Sequence, residues 1–208
     1  MKRIASYLTL CCLAAAPIFA QGRLFTGYIG GGPGFPVSDF GQRVDNGWNV
    51  SAGAGISGNH LGLMLDFTYN DFGVNQSILN QVAAPNGSTR IWSFTLDPVI
   101  HVMKEGPADL YITGGGGIYH RTVEFTQPGV ASTTFFDPWF GFYPGLISTN
   151  QVLASYSLYK PGVDGGAGVA VRLGHSRAKV FAEARYHHMF TNNRIDNSFI
   201  PVTIGLRW

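Results

Sequence analysis

The residues best equipped for chemistry are few. Asp66, Asp97, Asp164 and Glu183 could act as general acids or bases, Arg172, Arg185 and Arg207 could stabilise negative charge, and His101 and His187 belong with them in kind. Each falls at an alternate position of a strand-like run, so all can share one face of a sheet. A charge buried there without a partner is costly, so a paired, hydrogen-bonded set is expected in preference to a proton path, pore or catalytic site. Other motifs offer less. Gly30-Gly31-Gly32-Pro33-Gly34 has the composition of a phosphate cradle but lacks the Lys-Ser/Thr of a P-loop, and no helical pattern follows, so a glycine-rich strand end and turn is expected. His187 and His188 are adjacent and would point to opposite sides of a strand, which makes a shared metal ion difficult. Asn86-Gly87-Ser88 reads as turn residues. No catalytic, cofactor-binding or metal site is expected.

Eight strand-like runs position these residues: 24–32, 47–57, 60–72, 90–103, 108 to about 125, 161–173, 178 to about 190, and 199–208. The last is the clearest. Ile200, Val202, Ile204, Leu206 and Trp208 fall on one face, opposite Phe199, Pro201, Thr203, Gly205 and Arg207. The same opposition recurs in the third run, where Leu61, Leu63, Leu65, Phe67 and Tyr69 alternate with Gly62, Met64, Asp66, Thr68 and Asn70. In the fifth run Gly114 to Gly117 carry no pattern, which leaves its register open. The connections alternate in length. Stretches 33–46, 73–89, 126–160 and 191–198 are long or polar, whereas those at 58–59, 104–107 and 174–177 are short.

Composition narrows the class. Charged residues make up 12% of the 208-residue chain, about half the proportion of a soluble globular protein, while Gly (28 residues) and aromatics (13%) are abundant. Outside the N-terminus no apolar run reaches the roughly 18 residues of a membrane-spanning helix, so a membrane location would require a barrel. Lys2 and Arg3, the apolar stretch 4–16 and the small residue of Ile18-Phe19-Ala20 read as a secretory signal over 1–20, with one barrel domain over 21–208. Cys11 and Cys12 both lie in that signal, so the rest of the chain offers no disulfide, thiolate or Cys-ligated metal. Without Lys2 and Arg3, 12 of the 14 basic residues remain against 12 acidic ones. That balance argues against nucleic acid as a partner.

The signal, the eight runs, the glycine-rich strands, Phe181-Ala182-Glu183-Ala184-Arg185-Tyr186 and the C-terminal run ending on Trp208 resemble the small outer-membrane β-barrel family that includes OmpX-like, opacity-type and OmpA-barrel proteins. The resemblance implies an all-β, eight-stranded, antiparallel, up-and-down transmembrane β-barrel in the bacterial outer membrane. Outer-membrane lipid would surround it, the barrel-assembly machinery would act through the C-terminal strand with Trp208 as the assembly signal, and the protein would be a monomer. Short turns and both termini would be periplasmic and the longer loops outside. Such a barrel is filled by side chains, so Asp66, Asp97, Asp164, Arg172, Glu183, Arg185 and Arg207 are expected to form a polar plug in the lumen.

The family's roles range from adhesion to envelope integrity, and a non-enzymatic structural or surface-contact role is expected here. Phe135, Phe136, Trp139, Phe140, Phe142 and Tyr143 make the longest connection a candidate contact surface for an extracellular protein or glycan. Equally, that connection could extend the flanking strands and bury its aromatics at the membrane interface or over the barrel mouth. Two other classes compete. A secreted, lipocalin-like carrier would place apolar residues inside and polar ones outside. A lipid A-modifying barrel is suggested by Arg185-Tyr186-His187-His188 with Asn192, which resembles the His-x-Ser strand of lipid A deacylases. Phe190 stands where that serine would be, and Ser198 and Asp196 are near only in sequence, so no enzyme is expected.

Overall fold

The computed structural model describes residues 24–103, 108–174, 176, 178–191 and 197–208. The expected signal over 1–20, the turn at 104–107 and residues 192–196, which include Asn192 and Asp196, lie outside the described residues. Eight strands follow one another around a closed antiparallel barrel: β1 (Leu24–Val37), β2 (Val44–Ser57), β3 (Leu61–Val74), β4 (Asn86–Met103), β5 (Ala108–Asp137), β6 (Gly141–Arg172), β7 (Lys179–Met189) and β8 (Asn197–Arg207). Closure comes from β8 pairing with β1. Short helices α1 (Ser38–Gly41) and α2 (Gln76–Gln81) stand in the β1–β2 and β3–β4 connections.

Alternation decides which way each strand faces. On β3, Gly62, Met64, Asp66, Thr68 and Asn70 turn inward and are buried, while Leu61, Leu63 and Leu65 are exposed on the outside. On β8, Phe199, Thr203 and Arg207 are buried and Ile204 and Leu206 exposed. This polarity is the reverse of a soluble carrier barrel. Phe25 is 71% exposed and Ile204 58%, so the outer belt lacks its apolar partner, which in a barrel of this kind is lipid. Aromatic pairs rim that belt toward the long connections: Trp48 with Tyr69 (5.5 Å between centroids) and His120 with Trp92 (4.9 Å) and Tyr159 (4.2 Å). Trp208 and Phe25 mark its other end, as interfacial aromatics do.

The strands run further than the periodicity predicts. β1 continues through Gly30-Gly31-Gly32-Pro33-Gly34, where a strand end and turn was expected. Its pairing with β8 skips Gly32 and Pro33, because proline has no N–H to donate. Asn49 bridges that gap, its Nδ2 donating to the carbonyls of Pro33 (3.0 Å) and Val202 (3.2 Å). Neighbours also settle the register of β5, with Thr95 opposite Gly117 and Gly114 to Gly117 opposite Gly165 to Gly162. At Gly117 a Cβ would lie 1.8 Å from the Phe94 carbonyl oxygen, so the approach of β4 requires glycine.

The largest departure is at 126–160. Of the two forms expected there the strand extension is seen, without the burial expected with it: β5 and β6 continue as a regular hairpin from the Gln127·Gln151 pair to the Asp137·Gly141 pair. β4 pairs with β5 only as far as Thr126, and β7 with β6 only from Gly162, so this part is a two-stranded arm without lateral neighbours. Neither face of the arm is buried. An alternation of apolar and polar faces had no reason to form there, which is why the strands were invisible to a periodicity reading.

Candidate functional site

The lumen is layered along the barrel axis. Its middle is an ionic cluster on β3, β4, β6 and β7. Arg185 Nη1 donates to Asp66 Oδ2 (2.9 Å) and Asp97 Oδ2 (2.5 Å) and lies 3.6 Å from Asp164 Oδ1, while its Nη2 and Nε donate to Glu183 Oε1 at 2.7 and 3.0 Å. Thr95 Oγ1 adds a bond to Asp97 Oδ2 at 2.8 Å. Arg207 joins only at the margin, 4.0 Å from Glu183 Oε2. Its guanidinium instead lies over Tyr111, 4.4 Å from the ring centroid, with Phe181 and Tyr28 near. Four carboxylates thus meet two guanidiniums, and Asp66 Oδ1 and Asp97 Oδ1 are buried without a hydrogen-bond partner.

Six of the seven residues expected to share the lumen are buried in it, and five of them touch around Arg185. Arg172 does not. It has the inward parity of β6 but stands at the strand's last position, where it is exposed at the short-turn end. Parity gives a residue's side of the sheet, not its depth.

Apolar layers bracket the cluster. Toward the long connections Phe40 of α1 packs into Phe72 (5.5 Å) and Phe199, with Ile91, Tyr119 and Met189 beside them. His187 stacks on Phe199 at 5.0 Å and meets the Tyr119 hydroxyl at 2.9 Å, so it belongs to this lid and not to the ion cluster. Toward the short turns lie Tyr28, Met64, Val99, Tyr111, Ala170 and Phe181. Tyr111 and Tyr119 escape the sequence reading because the glycine run between them hides the parity of β5. Their spacing of eight places both on one side of a strand, and that was the available signal.

Beyond this second layer a recess of about 410 Å³ opens at the short-turn end. His101 belongs here, with its Nδ1 2.7 Å from Asp109 Oδ1 and its Nε2 3.0 Å from Ser57 Oγ. That is the connectivity of a hydrolase triad. Lys179 Nζ, however, donates to the other Asp109 oxygen at 2.9 Å, and the Ser57 hydroxyl is also directed at the Gly58 carbonyl at 3.4 Å.

On the outer face, His188 and Ser198 are directly opposed across β7 and β8. Ser198, expected near only in sequence, therefore lies 2.8 Å from His188 Nδ1, and the Tyr186 hydroxyl donates to the same oxygen at 2.8 Å. Ser198 is 1% exposed, covered by these partners. Attack on a substrate needs an approachable hydroxyl, and this one is enclosed.

The arm carries the aromatic set. Phe135 and Tyr143 stack at 5.8 Å on one of its faces, Phe136 and Phe142 meet at 5.1 Å on the opposite face, and Trp139 and Phe140, each 86% exposed, occupy the turn. Asp137 Oδ1 holds that turn by accepting from the backbone N–H of Trp139 (2.8 Å) and Phe140 (3.1 Å), and Gly141 supplies its positive φ of 75°. The aromatics neither cover the barrel mouth nor pack on the barrel. Among the described residues no group of His, Cys, Asp and Glu has the arrangement to hold a metal ion.

A family model described as outer membrane protein beta-barrel domain matches residues 5–207. Among solved structures the chain is similar to Neisserial surface protein A (NspA), with 15% identity, 90% of this chain and 98% of that chain covered, and a TM-score of 0.59. It is also similar to a major outer membrane protein from Thermus thermophilus, with 10% identity, 88% and 98% covered, and a TM-score of 0.50. At these identities the likeness shows the fold alone. No curated protein matches the chain.

Proposed function

Because the chain belongs to the outer membrane protein beta-barrel domain family, we propose that this outer-membrane barrel is non-enzymatic and serves a structural and surface-contact role through its outer loops. In this reading residues 1–20 are a cleaved export signal. Both termini and the short turns face the periplasm, and the arm faces outward. β8, ending at Trp208, is what the assembly machinery engages, and the barrel works as a monomer in outer-membrane lipid with an extracellular protein, glycan or surface as its partner. Asp66, Asp97, Asp164, Glu183, Arg185 and Arg207 act as a lumen plug.

The arm is the observation that carries this reading. From Gln127 to Asp137 it extends β5 by eleven residues beyond its last pairing with β4, a reach of about 35 Å at about 3.3 Å per residue. A stable barrel has no use for an unsupported hairpin of that length. A contact element does.

Deleting the arm, residues 127–151, and joining the paired Thr126 and Val152 with a short turn tests the reading. The shortened chain is expected in the outer-membrane fraction with a heat-dependent shift in gel mobility, while attachment of expressing cells to surfaces falls. Unchanged attachment removes the contact role, and recovery of the full chain as a soluble periplasmic protein removes the barrel reading altogether.

The contact between His188 and Ser198 keeps one rival in view. Mass spectra of lipid A from cells with and without the protein are expected to be the same, and Ser198→Ala to change nothing. An acyl-chain difference that Ser198→Ala abolishes would make the protein an enzyme.

A further inference from the structure

We infer that the tip of the β5–β6 arm penetrates the lipid of an apposed bilayer, and that its partner is zwitterionic phospholipid. The inference rests on the surface-contact reading above and names the partner for it. Three observations converge. First, the tip is apolar in every direction: Phe135 and Tyr143 on one face, Phe136 and Phe142 on the other, Trp139 and Phe140 at the end. A protein partner docked on a sheet covers one face and leaves the other in water, whereas an apolar medium entered end-on covers both faces and the turn together.

Second, charge is missing. Between Thr126 and Tyr159 the only charged residue is Asp137, and its Oδ1 is engaged by the Trp139 and Phe140 N–H groups of the turn. Without Lys or Arg the arm has nothing to recognise an acidic glycan, a phosphate or anionic lipid, and its attraction is carried by apolar area and interfacial aromatics.

Third, the arm is built to keep its shape without a neighbour. Its two strands pair continuously from Gln127·Gln151 to Asp137·Gly141. Phe135 lies over Gly145, where a Cβ would stand 2.6 Å from the ring. Pro128 and Pro144 interrupt the row of N–H donors, which disfavours addition of a further strand. The outward N–H and C=O groups along the two strand edges are unpaired and would stay in water or among the headgroups, so it is the rings at the tip, free of Lys and Arg, that enter the lipid.

The test uses the full chain in lipid nanodiscs mixed with vesicles of phosphatidylcholine alone, carrying brominated lipid only in the vesicles. Trp48, Trp92 and Trp208 sit on the barrel wall inside the disc, so quenching by vesicle lipid reports Trp139. Co-flotation with the vesicles and quenched emission are expected. Replacing both tip rings (Trp139→Ser with Phe140→Ser) should weaken vesicle binding about tenfold or more, with the heat-dependent mobility shift retained. Trp139→Phe should keep binding, and adding phosphatidylglycerol should not strengthen it.

Absence of co-flotation, binding that survives the double substitution, dependence on anionic lipid, or quenching only when the brominated lipid is in the protein's own disc would each overturn the inference. If vesicle binding fails while deletion of 127–151 still abolishes cell attachment, the partner is a protein or glycan and the contact role stands. If that deletion leaves attachment intact, the contact role itself has failed.

Discussion

At the scale of single residues, Arg185 decides the lumen. Its guanidinium is 5% exposed and bonds to Asp66, Asp97 and Glu183, with Asp164 at 3.6 Å. Arg185→Met would leave four clustered carboxylates facing one another and only the marginal Arg207. A loss of about 3–5 kcal/mol is expected, as for any buried pair stripped of one partner. It should be read as a lower urea midpoint for the heat-modifiable form in detergent. Arg185→Lys, which keeps the charge but not the fork that reaches several carboxylates, should fall between. Gly53 offers a steric counterpart. A Cβ there would lie 2.0 Å from Asp66 Oδ1 and 2.4 Å from the Tyr28 ring, so Gly53→Val should cost about 1–3 kcal/mol by overpacking, and a midpoint equal to wild type would show that the lumen has room to spare. The acids of the ionic cluster and Arg185 were legible in the sequence, because strand parity fixes the side of each residue and buried charges must pair; Asp109, next to the glycine run that hides the parity of β5, was not. Arg172 was not, since parity carries no depth, nor was the contact of His188 with Ser198, which exists only through the register of β7 on β8.

Among the elements, the arm separates what periodicity can and cannot reveal. Strands with lipid on one side and a packed lumen on the other alternate, and they were read correctly in number and facing. The arm has no inside. Its sequence is held as β-structure by cross-strand pairs and by one turn, and the turn depends on Asp137. Asp137→Ala should remove two hydrogen bonds from the tip, costing about 1 kcal/mol and speeding hydrogen exchange at Trp139 and Phe140 while exchange in the barrel strands is unchanged. Faster exchange throughout would mean that arm and barrel unfold as one unit. The short helices were equally hidden. α1 and α2 lie in polar connections, yet Phe40 enters the lumen lid and Leu79 packs with Val74 and Ala84, single apolar residues too isolated to announce an element.

For the molecule as a whole, the layered lumen makes a prediction about transport. Apolar layers around Phe72 with Phe199, and around Tyr111 with Phe181, lie on either side of the ionic cluster, so ions meet a low-dielectric barrier before they meet a charge. Planar bilayers containing the protein should show no sustained conductance steps, and regular steps would mean that these layers open. The amino-acid sequence alone determined the class of fold, the eight strands, their inward and outward faces and the four acids and Arg185 of the ionic cluster, because each follows from a local rule: side chains alternate, lipid excludes charge, and buried charge needs a partner. Tertiary structure alone decided how deep each residue lies, which partners meet across strands, the register of a glycine run without side chains, and the projection of the longest connection as an arm. These depend on contacts between positions far apart in the chain, and no local pattern encodes such a contact.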